Sequence, residues 1–293
     1  MLPRSLGERR CASRLGSDRS WTLAVQHVRA MMPSVRIRDA ELAVDRRGDG
    51  PLVLWGHGLM QSRANEDTRR LWTIADDVRG AGFEFVRYDA RGHGESSGAP
   101  DPSVYQWSSL AEDALALHQE LTGAPAVLGG ASMGAATMLH AAVRNPQSAR
   151  ALVLVIPPTA WETRAGQRQV YENSASFVRA KGKARYVEAV QKLPVIPILA
   201  DHPALHPLPP DITEEFLPFV LEGAAASDLP PIEALRTLDV PTLILAWDTD
   251  PVHPVSTAST LHDTLPRSTL HIAQSVADTR AWGERTVEFL RSL

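Results

Sequence analysis

The chain has 293 residues, 44% hydrophobic and 22% charged, with a formal net charge of −4, an ordinary globular composition with room for one large α/β domain and its insertions. Its mild acidity gives no electrostatic reason to expect nucleic acid or an anionic membrane as partner. No apolar stretch approaches the roughly 20 residues needed to span a bilayer. A single cysteine, Cys11, excludes an intramolecular disulfide, so a reducing, cytoplasmic location is expected.

The first thirty residues differ from the rest: Arg4, Arg9, Arg10, Arg14, Arg19 and Arg29 lie among small polar residues without strand alternation. Glu8 and Asp18 interrupt the charge and no secretory apolar core follows. Residues 1–31 are therefore expected to be a disordered arm or a mis-assigned start, with the functional chain opening at Met31 or Met32. Residues 35–38 and 41–44 alternate at period two and predict an antiparallel hairpin at a sheet edge. A short apolar strand at 52–55, a helix at 68–79, a strand at 83–88 and a helix at 107–121 follow. Further apolar strands are expected at 126–128, 151–156, 242–247 and 269–273, with a closing helix at 279–293. Strands alternating with helices imply a mostly parallel central sheet with helices on both faces, an α/β class.

Residues 159–239 break this alternation. They hold helical patches at 164–180, 183–192 and 213–221, separated by proline-rich runs such as His206-Pro207-Leu208-Pro209-Pro210. The division expected is a core of 32–158 and 240–293, with 159–239 inserted.

Three motifs carry chemistry. Gly130-Ala131-Ser132-Met133-Gly134 joins an apolar strand to a helix, a turn too tight for side chains at its flanks, so the glycines let the backbone close and lift the Ser132 hydroxyl clear. Gly56-His57-Gly58-Leu59-Met60 follows the strand at 52–55. Asp89-Ala90-Arg91-Gly92-His93-Gly94-Glu95-Ser96 follows the strand at 83–88. In this order and spacing, the chain from about Val35 to its C-terminus resembles the α/β-hydrolase family.

That resemblance implies an α/β-hydrolase fold in which 159–239 is a helical, proline-rich cap over the active site, shielding a pocket for a mainly apolar small molecule. It implies Ser132 as nucleophile, and the backbone N–H groups of Leu59 and Met133 as an oxyanion hole. It implies Asp250, ahead of Asp248, as the acid after the strand at 242–247. The family places its general base just after the last strand. Here that loop reads Ala273-Gln274-Ser275-Val276-Ala277-Asp278, with Asp278 where histidine is expected. Three readings follow: a relocated histidine, His253 or His271; Asp278 as a weak base or proton-transfer group; or a pocket that only binds. The leading expectation is a serine hydrolase of a small, mostly apolar ester, thioester or lactone. The alternative is a non-hydrolytic protein on the same fold, a lyase-like catalyst using Asp278 or a ligand-binding module. Neither reading calls for a cofactor or a metal. The partner expected is a small-molecule substrate, with no nucleic acid and no membrane, and the oligomeric state is left open.

Overall fold

A computed structural model of the chain describes residues 34–293; the expectation for residues 1–31 lies outside them. Among the described residues, eight strands form one sheet in the order β1-β2-β4-β3-β5-β6-β7-β8. They are β1 Ser34–Ile37, β2 Ala40–Arg47, β3 Leu52–Gly56, β4 Glu84–Tyr88, β5 Ala126–Ala131, β6 Ala149–Val155, β7 Thr242–Trp247 and β8 Ser268–Ala273. β2 pairs antiparallel with β1 and β4, and the remaining pairings are parallel. The helices are α1 Arg63–Arg69, α2 Ile74–Gly80, α3 Trp107–Leu121, α4 Met133–Arg144, α5 Arg164–Lys181, α6 Lys183–Val190, α7 Leu217–Ala225, α8 Ile232–Arg236, α9 Val255–Thr264, α10 Val276–Arg280 and α11 Trp282–Arg291.

The central strands read as continuous apolar runs because both faces are covered, yet their side chains still alternate. Val53, Trp55, Val127, Val153, Leu243 and Trp247 pack with Ile74, Val78, Trp282 and Leu290 on one face. Leu54, Leu128, Leu152, Leu154 and Ile244 pack on the other with residues of α3, α4 and α9. The segment between β6 and β7 carries α5 to α8 as a helical cap. It has its own apolar cluster, in which Tyr171, Ala175 and Val178 meet Leu217, Val220 and Leu221.

Three predicted helices are corrected. The helix at 68–79 is two: α1 ends as Arg70 turns left-handed (φ 45°), and α2 begins after Thr73. Buried Leu71 and Ile74 keep an apolar spacing across that break, which hides it from a periodicity reading. The helix at 213–221 starts later, at Leu217, with Pro218 in its first turn, where a missing N–H costs nothing. The closing helix at 279–293 is split into α10 and α11 at Ala281.

Candidate active site

β5 runs fully buried into Ser132, whose backbone takes φ 53° and ψ −112°. That region is costly for a residue with a side chain and persists only where the surroundings hold it. Here the Ser132 N–H donates to Val155 O on β6 at 2.9 Å, and its carbonyl accepts from Ala136 N at 3.0 Å. The flanking glycines answer a close approach of β3, β5 and α4. A Cβ on Gly130 would lie 2.6 Å from Gly56 O, and one on Gly134 would collide with the same carbonyl.

β7 delivers the loop 248–254. Thr249 is left-handed (φ 65°), and the His253 N–H returns to Asp250 O at 3.2 Å. This turn sets Asp250 and His253 side by side although both come from one loop. His253 Nδ1 lies 2.6 Å from Asp250 Oδ2, and His253 Nε2 lies 2.8 Å from Ser132 Oγ. Asp250 is also held by Val252 N on Oδ1 and by the Trp247 indole N–H on Oδ2, each at 2.9 Å. Burial pushes this carboxyl upward. The facing His253 ring and the three hydrogen bonds outweigh that and hold it below the ordinary aspartate value. An ionised Asp250 only accepts, so His253 donates from Nδ1. Its Nε2 lone pair is left to accept from the Ser132 hydroxyl. Trp247 was legible only as the end of the apolar strand at 242–247; its N–H toward Asp250 carried no signal in the sequence.

The other candidates lie elsewhere. Asp248 is exposed, and its carboxylate accepts from Thr249 N. His271, on β8, is lowered by partial burial and by Arg285 of α11. Asp278, read from the sequence as a base or proton-transfer group, occupies a helix cap instead. Its carboxylate accepts from Ser275 N and Gln274 N, both at 3.0 Å, while Ser275 Oγ accepts from Asp278 N at 3.2 Å. This reciprocal capping box satisfies the free N–H groups opening α10. The side chain is exposed, and the Ser275 and Gln274 hydrogen bonds lower its pKa, the reverse of what a neutral-pH base facing Ser132 needs.

Leu59 and Met133 come from different elements, the turn after β3 and the first residue of α4. Met133 opens α4, so its N–H has no carbonyl within the helix to meet. Leu59 sits in the turn after β3, closed by Gln61 N on Gly58 O at 3.1 Å. Two buried histidines fix that turn. His57 Nε2 accepts from Ala90 N at 2.9 Å, leaving Nδ1 to donate to Gly58 O at 2.8 Å. His93 Nε2 accepts from Met60 N at 3.3 Å, and its Nδ1 donates to Arg91 O. Burial lowers both rings, His93 to about 3, so both stay neutral and keep these roles. The cap grips the same turn: Asp211 N donates to Met60 O at 2.9 Å, and Ser62 Oγ donates to Asp211 Oδ2 at 2.6 Å.

Ser132 and His253 open onto a cavity of about 430 Å³. Trp55, Leu71, Phe85, Ile156 and Trp247 wall it from the core, and Tyr171, Tyr186, Val190 and Leu208 from the cap. Glu66 also borders it, accepting from Trp55 Nε1 at 3.1 Å; burial raises its carboxyl to about 7. Among the described residues no cluster of His, Cys, Asp or Glu is placed to hold a metal ion. No helix among them is long and apolar enough to cross a membrane.

Comparison with known proteins gives the same frame. A family model described as the alpha/beta hydrolase fold matches residues 51–209. The 3-oxoadipate enol-lactonase 2 of Acinetobacter baylyi is 28% identical over 196 residues, covering 65% of this chain and 70% of that protein. The mitochondrial palmitoyl-protein thioesterase of Rattus norvegicus is 28% identical over 114 residues, 39% of this chain; the match spans only 36% of the thioesterase. Among solved structures, the enol-lactonase from Burkholderia xenovorans superposes with a TM-score of 0.72 at 21% identity, over 88% of this chain and 100% of that one.

Proposed function

Because the chain belongs to the alpha/beta hydrolase fold family, we propose that it is a serine-nucleophile hydrolase of a small, mostly apolar ester, thioester or lactone. One observation carries the reading: the unbroken relay from Asp250 through His253 to Ser132, 2.6 Å and 2.8 Å long, at the wall of a largely apolar cavity. In this reading His253 takes the Ser132 proton as the hydroxyl attacks the substrate carbonyl. Asp250 fixes the imidazole tautomer and stabilises the imidazolium that forms. The N–H groups of Leu59 and Met133 receive the oxyanion, and the turn carrying Leu59 is held rigid by His57 and His93 before substrate arrives. His253 then returns its proton to the leaving group, and water attacks the acyl-enzyme through the same base.

The relatives support the bond type, since a lactonase and a thioesterase both cleave activated acyl groups. The apolar walls support a substrate with a hydrocarbon body. The lyase-like alternative rested on Asp278, and a carboxylate committed to a helix cap gives it no support.

The test is covalent. A fluorophosphonate should label the wild-type protein at Ser132, and labelling should vanish in Ser132→Ala. Short p-nitrophenyl esters and thioesters should turn over only in the wild type. Unlabelled Ser132 in a folded protein, with no turnover across the panel, would remove the hydrolase reading and favour a binding role.

A further inference from the structure

Five arginines border the cavity: Arg47, Arg69, Arg70, Arg79 and Arg87. Four are matched by carboxylates. Arg87 pairs with Asp45 at 2.8 Å and Asp67 at 2.7 Å, Arg47 with Asp45 at 2.9 Å, and Arg70 and Arg79 with Asp76 at 3.5 and 3.3 Å. Arg69 differs. Among the described residues its guanidinium makes no ion pair within 4 Å; Nε and Nη2 both donate to one backbone carbonyl, Leu205 O of the cap, at 3.2 and 2.7 Å. Glu66, one turn back on α1, turns its carboxylate to the Trp55 indole and stands 4.0 Å from Arg87 instead. Burial drags the Arg69 pKa down to about 10, and the charge of Glu66 opposes that only in part.

A planar five-donor group with one carbonyl for company leaves hydrogens unanswered on Nη1 and Nη2. In a cavity whose walls include Leu71, Phe85, Ile156 and Trp247, a carboxylate meeting those hydrogens gains more than it would in water. We propose that Arg69 is an anion-binding residue of the substrate cavity, and that the substrate is an acyl compound carrying a carboxylate remote from the carbonyl that Ser132 attacks. This deepens the hydrolase reading and rests on it. The apolar walls take the hydrocarbon body, Ser132 takes the reacting end, and Arg69 takes the charged end. The cap supplies the Leu205 carbonyl that aims the guanidinium, so the cap itself takes part in selecting the substrate.

The experiment compares 4-nitrophenyl hemiesters of dicarboxylic acids, from glutaric to suberic, with 4-nitrophenyl esters of the monocarboxylic acids of the same length. The readout is the ratio of kcat/KM, hemiester over neutral ester. In the wild type that ratio should exceed about tenfold for at least one length. In Arg69→Gln it should fall by about 10–100-fold, the scale of a hydrogen bond to a charged group, and Arg69→Lys should keep part of it. A second arm needs no turnover. Adipate should raise the Tm of Ser132→Ala, and the effect should disappear when Arg69→Gln is added. Hydrolysis of neutral esters with no hemiester preference at any length, or a ratio untouched by Arg69→Gln, overturns the anion site and leaves the hydrolase reading standing. Adipate binding lost with Arg69→Gln, in a protein that cleaves no ester, keeps the anion site and removes the hydrolase reading.

Discussion

β7 and β8 lie side by side, parallel and in register from Thr242↔Ser268 to Trp247↔Ala273, and each ends in a loop carrying an aspartate. The two carboxylates have opposite fates. Asp250 is fully buried and receives hydrogen bonds from a histidine, an indole and one backbone N–H. Asp278 is exposed and receives only the N–H groups of its own turn. Each aspartate lies three positions from its polar partner: His253 lies beyond Asp250, and Ser275 lies before Asp278. One spacing builds a hydrogen-bonded Asp–His pair beside Ser132 and the other a helix cap. What differs is what stands opposite, since the buried Asp250 carboxylate faces His253 and Trp247 while Asp278 faces solvent. A carboxylate's role is set by its neighbours and its burial, and its place in a strand-loop pattern is a weaker guide.

The comparison breaks most visibly at His253. His253→Ala should lower kcat/KM for ester hydrolysis by about 10⁴-fold or more while the fold survives, measured with p-nitrophenyl esters beside circular dichroism. Turnover kept in His253→Ala and lost in Asp278→Ala would reverse the assignment of the two loops. Asp250→Asn should cost about 10³–10⁴-fold in kcat. It should also lower Tm, with a telling pH dependence. The Asp250 pKa is depressed by folding, so its contribution is complete above the unfolded value of about 3.9 and is lost as pH falls through the lower folded value. The Tm gap between wild type and Asp250→Asn should therefore narrow below about pH 4.

Trp247→Phe keeps one aromatic ring in place of the two fused rings of the buried indole and removes one donor from Asp250 Oδ2. A loss of about tenfold in kcat, with KM little changed, is expected. An unchanged kcat would make the indole N–H merely a satisfied core donor. The smallest effect belongs to the other loop. Ser275→Ala removes a helix cap worth about 1 kcal/mol, so Tm should drop by roughly 2–4 °C with activity within twofold, and Asp278→Ala should behave alike.

The elbow was legible because its signal is local: glycines two positions either side of Ser132 answer a contact that any strand–turn–helix must make. Asp250 was legible through the resemblance alone, which put it ahead of Asp248, the residue that directly follows the strand. The histidine beside Asp250 was legible only as one of two candidates, His253 or His271, because nothing in Asp250-Pro251-Val252-His253 announces that Thr249 turns left-handed and folds the loop onto Ser132. His93 stood in plain sight within Gly92-His93-Gly94. Its hold on Met60 N joins segments 33 residues apart, beyond any periodicity. Glu66 lies before the helix expected at 68–79 and carried no signal in the sequence; its contact with the Trp55 indole joins residues 11 positions apart on two elements.

Asp211 joins the cap to the turn that carries Leu59 through both its backbone and its side chain, and its carbonyl accepts in addition from Gly94 N at 2.7 Å. That clasp makes residues 209–211 the fixed end of the cap. Lifting them would undo the turn's hydrogen bond at Met60 O along with the hold on Ser62. Any displacement of the cap that left this clasp intact would have to begin at its far side, where Val170, Val190 and Leu193 are exposed at the cavity's edge. Such a displacement would leave the hydrogen bonds at Met60 O and Ser62 Oγ in place.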